Sequence, residues 1–158
     1  MSELKIGSKA PDFTLPTDGG GALTLSALKG QPVVLYFYPK DDTPGCTQES
    51  CDFRDNMAAL KRLKVQVIGI SKDSVKKHDK FKEKFELNFP LASDENNDTC
   101  ERYGVWVEKS MYGKKYMGIE RSTFLIGANG KIIQLWRKVS VTDHVVDVLK
   151  ALKEQKVA

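Results

Sequence analysis

The stretch VVLYFYPKDDTPGCTQESC, residues 33–51, joins a hydrophobic run to two cysteines that lie five positions apart. Residues 33–38 form a continuous apolar run of strand length, rich in β-branched and aromatic side chains, which is typical of a central strand buried on both faces. Pro39 ends the run, and apolar residues at helical spacing predict a helix from near Cys46 to around Lys64. The stretch therefore predicts a buried strand, a turn and a helix that carries both cysteines near its start.

Strands and helices alternate on both sides of this stretch. Two short apolar segments around TDGGG predict an N-terminal β-hairpin, and Asn129-Gly130 supplies the tight turn of a late hairpin. The pattern predicts an α/β protein with a central mixed β-sheet flanked by helices, in a single domain of 158 residues. The expected segments are a hairpin at 13–15 and 22–25, a strand at 65–71, a short strand and turn at 89–94, helices at 75–86 and about 96–103, a hairpin at 122–127 and 131–137, and a terminal helix at 143–154. We interpret residues 105–121 as a loop whose Trp106, Met111, Tyr112, Tyr116 and Met117 pack over the sheet edge or line a pocket.

Composition indicates a soluble globular protein. Hydrophobic residues make up 41% and charged residues 29%, and the net charge of +4 comes from basic residues mixed with acidic ones. Such mixing is typical of solvated helix faces, so we expect no nucleic-acid partner. The chain contains no apolar run of 18 residues and its first residues lack a signal-peptide core, so we expect no membrane association and a cytoplasmic location.

The chain has three cysteines, which in a reducing compartment favour metal binding, catalysis or redox sensing over a structural disulfide scaffold. A closed zinc site needs four ligands at short paired spacings. No CxxC pair occurs, and both histidines are far along the chain from Cys46 and Cys51, so we expect no metal site. Redox chemistry or catalysis then remains for Cys46 and Cys51. The alternative is that both are buried and act only as small hydrophobic side chains.

The segment TPGC favours Cys46 as the reactive thiol. Cysteine reacts as the thiolate, which the unpaired N–H groups and the positive dipole end of a helix N-terminus stabilise. Pro44 is suited to the first helical turn, Gly45 permits close approach of the backbone, and Cys46 then lies in that turn. We therefore expect Cys46 to attack first and Cys51, deeper in the helix, to respond.

The spacing of the two cysteines has a mechanical consequence. Ideal helix geometry puts Cα atoms five positions apart at roughly 8.7 Å, whereas a disulfide needs Cα atoms within about 7 Å. A Cys46–Cys51 bond therefore requires the first turn or two of the helix to unwind.

At this point a family resemblance is clear. Residues 39–46 match the peroxiredoxin pattern PxxxTxxC, and the chain resembles the bacterioferritin comigratory protein, or peroxiredoxin Q, branch nearly end to end. The segments that carry the resemblance are APDFTLP (10–16), VVLYFYPKDDTPGCTQE (33–49), IGIS (68–71), YGVW (103–106) and RSTFLI (121–126). The resemblance implies a thioredoxin-like fold and a cofactor-free peroxidase that reduces hydrogen peroxide and organic hydroperoxides.

The resemblance also implies roles for single residues. Cys46 would be the peroxidatic cysteine, which becomes a sulfenic acid, and Cys51 the resolving cysteine. Thr43 would hydrogen-bond the sulfur and the peroxide, and Arg121 would stabilise the thiolate and polarise the O–O bond. Pro39 would shield the pocket from water, and Glu49 would help to orient Arg121. The resulting disulfide would be recycled by thioredoxin or a glutaredoxin-type dithiol, and the protein is expected to be a monomer.

A thiol–disulfide oxidoreductase or redox-regulated binding protein on the same fold is the alternative function. It would be expected to carry CxxC after the first buried strand, whereas this chain has CxxxxC with Thr43 before it. Cys100 has no partner at short spacing and is interpreted as a partly buried helix residue, with an alternative resolving or modified thiol as the other possibility. His78 and His144 lie on polar helical stretches and are expected to face solvent.

Overall fold

The computed structural model describes residues 4–157 and is built around one five-stranded sheet. Its strands lie in the order β5-β4-β3-β8-β9. Strands β3, β4 and β5 are mutually parallel, β8 pairs antiparallel with β3, and β9 pairs antiparallel with β8. Their bounds are β3 Val33–Phe37, β4 Gln66–Ser71, β5 Leu91–Ser93, β8 Ser122–Ile126 and β9 Ile132–Trp136. The predicted central mixed sheet is confirmed.

Strand β3 divides the hydrophobic core into two layers. Val33, Leu35 and Phe37 pack on one face of the sheet, and Val34 and Tyr36 pack on the other. All five side chains are at most 2% exposed. A strand in the middle of a covered sheet has no solvent face, which explains its unbroken apolar run.

Helices cover the face of the sheet that holds Tyr36. Helix α1 (Pro44–Asp55), α2 (Met57–Arg62), α3 (Val75–Phe85) and α5 (His144–Val157) all contribute side chains to this layer. The helix predicted to run from Cys46 to Lys64 is thus two helices. Asn56 separates them because its φ of −106° and ψ of 9° are not helical, and its side chain donates to the carbonyl of Asp52.

The opposite face is covered by the N-terminal hairpin and one short helix. Strands β1 (Thr14–Pro16) and β2 (Ala22–Thr24) pair antiparallel, as predicted, and 3₁₀ turns span Asp18–Gly20 and Leu25–Leu28. Helix α4 (Thr99–Arg102) adds Cys100 to this layer.

The expectation of a loop at 105–121 was wrong. Strand β6 (Trp106–Met111) pairs with β7 (Lys114–Ile119) as a two-stranded hairpin. Four of its apolar side chains are exposed rather than packed over the sheet edge: Met111, Tyr112, Tyr116 and Met117. Both faces of much of this hairpin meet solvent, so the sequence lacks the apolar alternation by which a half-buried strand is recognised.

The sheet brings two distant parts of the chain together. Phe37 at the end of β3 pairs with Ser122 at the start of β8. The loop after β3 and the residue before β8 therefore lie at the same edge of the sheet, where the carboxyl ends of the parallel strands also lie. Within the described range, none of the helices is long and apolar enough to cross a membrane.

Candidate active site

The loop between β3 and α1 places Cys46 in the first turn of a helix. Thr43 is the N-cap residue with extended backbone, Pro44 is the first helical residue, and the Thr47 amide donates to the Thr43 carbonyl over 2.8 Å. Cys46 is fully buried. The expected position of its thiol at a helix N-terminus is confirmed.

Arg121 bridges the sulfur of Cys46 and a buried carboxylate. Its Nη2 donates to Cys46 Sγ over 3.3 Å, and its Nη1 donates to Glu49 Oε1 over 2.8 Å. The side chain of Arg121 is only 15% exposed. The guanidinium fork thus holds two acidic groups with a fixed geometry, which a lysine could not reproduce.

Gly45 makes room for this bridge. A Cβ atom at position 45 would lie 3.0 Å from Nη2 of Arg121. Any side chain here would press on the nitrogen that contacts Cys46. Gly45 was expected to permit close approach, and the group that approaches it is the side chain of Arg121.

Glu49 is completely buried and only partly hydrogen-bonded. Desolvation raises its pKa to about 7 in spite of the neighbouring Arg121 charge. Its second oxygen, Oε2, has no hydrogen-bond partner among the described residues and lies 4.0 Å from Nε2 of His144. A buried carboxyl group of this kind changes its protonation state more easily near neutral pH than an exposed one.

His144 lies behind the Glu49–Arg121 pair, and the expectation that it faces solvent was wrong. It is the first residue of α5 and is only 4% exposed. Its Nε2 lies 2.8 Å from the hydroxyl of Thr123. Burial, with a smaller contribution from Arg121, lowers the pKa of His144 to about 4, so the ring is neutral near pH 7.

The hydroxyl of Thr43 has a partner other than the sulfur. It donates to the carbonyl of Lys40 over 2.9 Å and so closes the turn before α1. The lone pairs of the Thr43 oxygen remain able to accept a hydrogen bond. A contact between Thr43 and the sulfur or the peroxide stays a prediction. Pro39 is half-buried and lies at the start of the same loop.

The other two cysteines differ in their relation to Cys46. Cys51 lies in the same continuous helix and is partly exposed, and burial raises the pKa of its thiol. Cys100 is fully buried rather than partly buried, and it belongs to the core layer on the opposite face of the sheet from Cys46. Desolvation also raises the pKa of Cys100 far above its usual range.

The site contains a thiol, a fixed cation and a buried acid, which suits attack of a thiolate on an electrophile that becomes negatively charged. Among residues 4–157, no group of three or more His, Cys, Asp or Glu side chains is arranged to hold a metal ion. Sequence reasoning missed the pairing of Thr123 with His144. The four-residue spacing of His144, Val148 and Leu152 places the histidine on the apolar face of α5, and this signal could have revealed its burial.

The structure and sequence resemble those of known proteins along almost the whole chain. Residues 6–135 match the family model described as the AhpC/TSA family. A protein of Coxiella burnetii, named a putative peroxiredoxin bcp, is 57% identical over 149 residues, which cover 94% of this chain and 99% of that protein.

Two solved structures illustrate the similarity in three dimensions. A cysteine mutant of peroxiredoxin Q from Xylella fastidiosa has a TM-score of 0.93 at 40% identity and covers 99% of both chains. The bacterioferritin comigratory protein of Xanthomonas campestris, studied for its alkyl peroxide reduction activity, has a TM-score of 0.88 at 44% identity. That likeness covers 96% of this chain and 97% of the other.

Proposed function

Since the chain belongs to the AhpC/TSA family, within its Bcp or peroxiredoxin Q branch, and is a peroxidase, we propose that Cys46 is the thiol that the peroxide oxidises. The observation that carries this assignment is the 3.3 Å hydrogen bond from Arg121 to Cys46 Sγ. We propose hydrogen peroxide and alkyl hydroperoxides as substrates. The alkyl peroxide reduction activity of the Xanthomonas campestris protein supports the second class.

In the first step, the Cys46 thiolate attacks the terminal oxygen of the hydroperoxide. An S–O bond forms and the O–O bond breaks, which gives a Cys46 sulfenic acid and an alkoxide that takes up one proton to become the alcohol. Negative charge moves from sulfur to the leaving oxygen during this step. Arg121 is positioned to stabilise that charge, and Thr43 can accept a hydrogen bond from the peroxide.

In the second step, the Cys51 thiol condenses with the Cys46 sulfenic acid. A disulfide forms and one water molecule leaves. Both cysteines lie within α1, so the first turns of this helix must unwind before the sulfur atoms can meet. Cys51 is better suited to this resolving role than Cys100, because the sheet separates Cys100 from Cys46.

In the third step, an external dithiol reduces the disulfide and becomes oxidised itself. We propose thioredoxin or a glutaredoxin-type protein for this role, in the reducing environment of the cytoplasm. Such an environment maintains Cys46 and Cys51 as the free thiols of the resting enzyme. The proposed active form is a monomer.

Peroxide-dependent NADPH consumption, coupled through thioredoxin and its reductase, tests these assignments. We expect Cys46→Ser to be inactive and Cys51→Ser to react once with peroxide but not to recycle. Cys100→Ser is the matched control and should turn over at nearly the wild-type rate. Full thioredoxin-dependent turnover by Cys51→Ser would overturn the resolving role of Cys51, and peroxide reduction by Cys46→Ser would overturn the whole scheme.

The same assay separates the peroxidase from a thiol–disulfide oxidoreductase. An oxidoreductase would reduce a disulfide substrate such as insulin in the absence of peroxide. We expect no such activity, because the chain has no CxxC pair after β3.

A further inference from the structure

A buried histidine–aspartate pair lies beneath the loop that leads to Cys46, outside the site described above. Asp41 belongs to this loop and is 9% exposed, and His78 belongs to α3 and is fully buried. Nδ1 of His78 lies 2.7 Å from Oδ2 of Asp41. The hydroxyl of Tyr38, at the end of β3, donates to Oδ1 of the same carboxylate over 2.6 Å. The expectation that His78 faces solvent was therefore wrong.

Both nitrogens of the His78 ring have buried polar partners. Its second nitrogen, Nε2, lies 3.1 Å from the carbonyl oxygen of Ala92 in β5. A carbonyl oxygen can only accept, so this contact is a hydrogen bond donated by Nε2. The ring therefore links the loop, through Asp41, to both α3 and β5.

A second contact ties the backbone of the same loop to the end of β4. The amide of Asp41 donates to Oδ2 of Asp73 over 2.7 Å. The hydroxyl of Ser71 donates to that same oxygen, and the hydroxyl of Ser93 donates to the Asp73 carbonyl. Asp41 is thus anchored by its side chain to α3 and by its main chain to the central sheet.

Helix α1 has a corresponding anchor on the far side of Cys46. The hydroxyls of Ser50 and Tyr36 are 2.8 Å apart, and the ring of Phe53 stacks on Tyr36 with centroids 4.7 Å apart. Residues 42–49, which include Thr43 and Cys46, lie between this anchor and Asp41. Unwinding of the first turns of α1 is therefore bounded on both sides by buried hydrogen bonds.

We propose that His78 is a positioning residue: through Asp41 it holds the loop before α1 in place and sets how readily residues 42–49 unwind. The link to catalysis rests on the proposed function. Peroxide reduction needs the folded site, whereas disulfide formation needs the unwound one. A weaker anchor shifts the population toward the unwound state.

His78→Leu should therefore change the two steps in opposite directions. The variant leaves Oδ2 of Asp41 buried without its His78 partner, so the loop moves to hydrate it and α1 loses its first anchor. We expect oxidation of Cys46 by peroxide to slow about 10-fold and disulfide formation from the sulfenic acid to become several-fold faster. A general loss of structure would also speed disulfide formation, but it would accelerate hydrogen exchange throughout the protein rather than in residues 42–49 alone.

Hydrogen–deuterium exchange on the reduced protein tests the anchor without relying on peroxidase activity. In His78→Leu, amides of residues 42–49 should exchange about 10-fold faster, while those of the other helices stay unchanged. Lys76→Leu is the matched control, because it places the same side chain on the exposed side of α3 and should leave exchange in 42–49 at the wild-type rate.

Asp41→Asn provides a second variant that keeps the shape of the pair but replaces the carboxylate by an amide. It should give a smaller acceleration of exchange in the same segment, and it carries the test if His78→Leu does not fold. Unchanged exchange in 42–49, or equal acceleration throughout the protein, overturns the proposal. A failure of the wild type to form the Cys46–Cys51 disulfide would instead count against the proposed function. The exchange rates of residues 42–49 would still decide whether His78 anchors the loop.

Discussion

We expect the reactivity of the site to depend most directly on one side chain, that of Arg121. It holds Cys46 Sγ through one nitrogen and Glu49 through another. We expect Arg121→Met to slow the oxidation of Cys46 by about 10²-fold or more, which is the usual cost of losing one fixed donor to a developing charge. Stopped-flow measurement with hydrogen peroxide provides the rate. Arg62→Met, at an exposed position of α2, is the control. A rate for Arg121→Met within threefold of wild type would contradict this role.

Glu49 and His144 should have opposite effects on the pH dependence of stability. The folded-state pKa of Glu49 is raised from 4.5 to about 7, so the folded protein binds a proton more tightly and loses stability as pH rises through that window. The folded-state pKa of His144 is lowered from 6.5 to about 4, so the folded protein binds a proton less tightly than the unfolded chain and loses stability as pH falls through that window. The two slopes therefore oppose each other between pH 4.5 and 6.5.

Single variants should reveal the two slopes separately. In Glu49→Gln the free energy of unfolding should rise with pH from 4.5 to 6.5, and in His144→Gln it should fall over the same range. Each slope should be at most about 1.4 kcal/mol per pH unit relative to wild type. Urea unfolding at several pH values in that range provides the measurement. Slopes indistinguishable from wild type in both variants would show that these groups do not titrate as their burial predicts.

At the level of secondary structure, the proposed Cys46–Cys51 disulfide requires helix α1 to change during the reaction. Formation of the Cys46–Cys51 disulfide should remove one to two turns of helix, about 4–7 residues, from its 12 residues. The far-UV circular dichroism at 222 nm should weaken after one equivalent of hydrogen peroxide and recover after reduction with dithiothreitol. Cys51→Ser should keep its helical signal under the same treatment. An unchanged wild-type spectrum with the disulfide present would contradict the unwinding.

The contact between the first turn of α1 and Arg121 predicts an unusual effect of a small substitution. Gly45→Ala should preserve or slightly increase stability, because alanine favours helix over glycine by up to about 1 kcal/mol. Its methyl group, however, displaces Nη2 of Arg121 from the sulfur. We expect Cys46 oxidation to slow by about 10-fold, since the loss of such a donor costs 10²-fold or more when complete. The double variant with Arg121→Met should be no slower than Arg121→Met alone, whereas an additive loss would exclude this mechanism.

The sequence predicted the elements of the central sheet because its strands are buried and strongly apolar, as in residues 33–38. It did not predict β6 and β7, because an exposed hairpin needs no apolar face. It also did not predict the break at Asn56, which depends on one residue leaving helical geometry between two helices on the same core layer. Element boundaries of this kind depend on tertiary contacts rather than on periodicity.

The local pattern and the resemblance point to the candidate reactive residues more directly than to the residues that support them. Cys46 and Thr43 stand in a local pattern, and the resemblance carried Arg121. The burial of His78 could be anticipated only from its three-residue spacing to Val75 and Phe81, which puts it on the inner face of α3. Its pairing with Asp41 could not be predicted, because that contact joins residues 37 positions apart.

For the molecule as a whole, we expect a monomer in both redox states. The exposed apolar side chains of the β6–β7 hairpin are interleaved with charged ones, among them Glu108 and Lys115, whose charged groups lie 3.8 Å apart. Such a surface is not the continuous apolar patch of a stable interface. Light scattering after size exclusion should give a mass near 17.7 kDa for the reduced and the oxidised protein. A mass twice as large at micromolar concentration would contradict the prediction.

The β6–β7 hairpin also provides a suitable site for inserting a reporter domain. Its two ends are already joined, since the Glu120 amide donates to the Val105 carbonyl over 2.8 Å and Trp106 pairs with Ile119. Its tip, Tyr112 and Gly113, turns with positive φ at both residues, and Tyr112 is 98% exposed. A fluorescent domain with closely spaced termini could be spliced in there without lengthening the span that fixes Arg121. Such a fusion could serve as a peroxide biosensor, in which the inserted domain supplies the fluorescence signal.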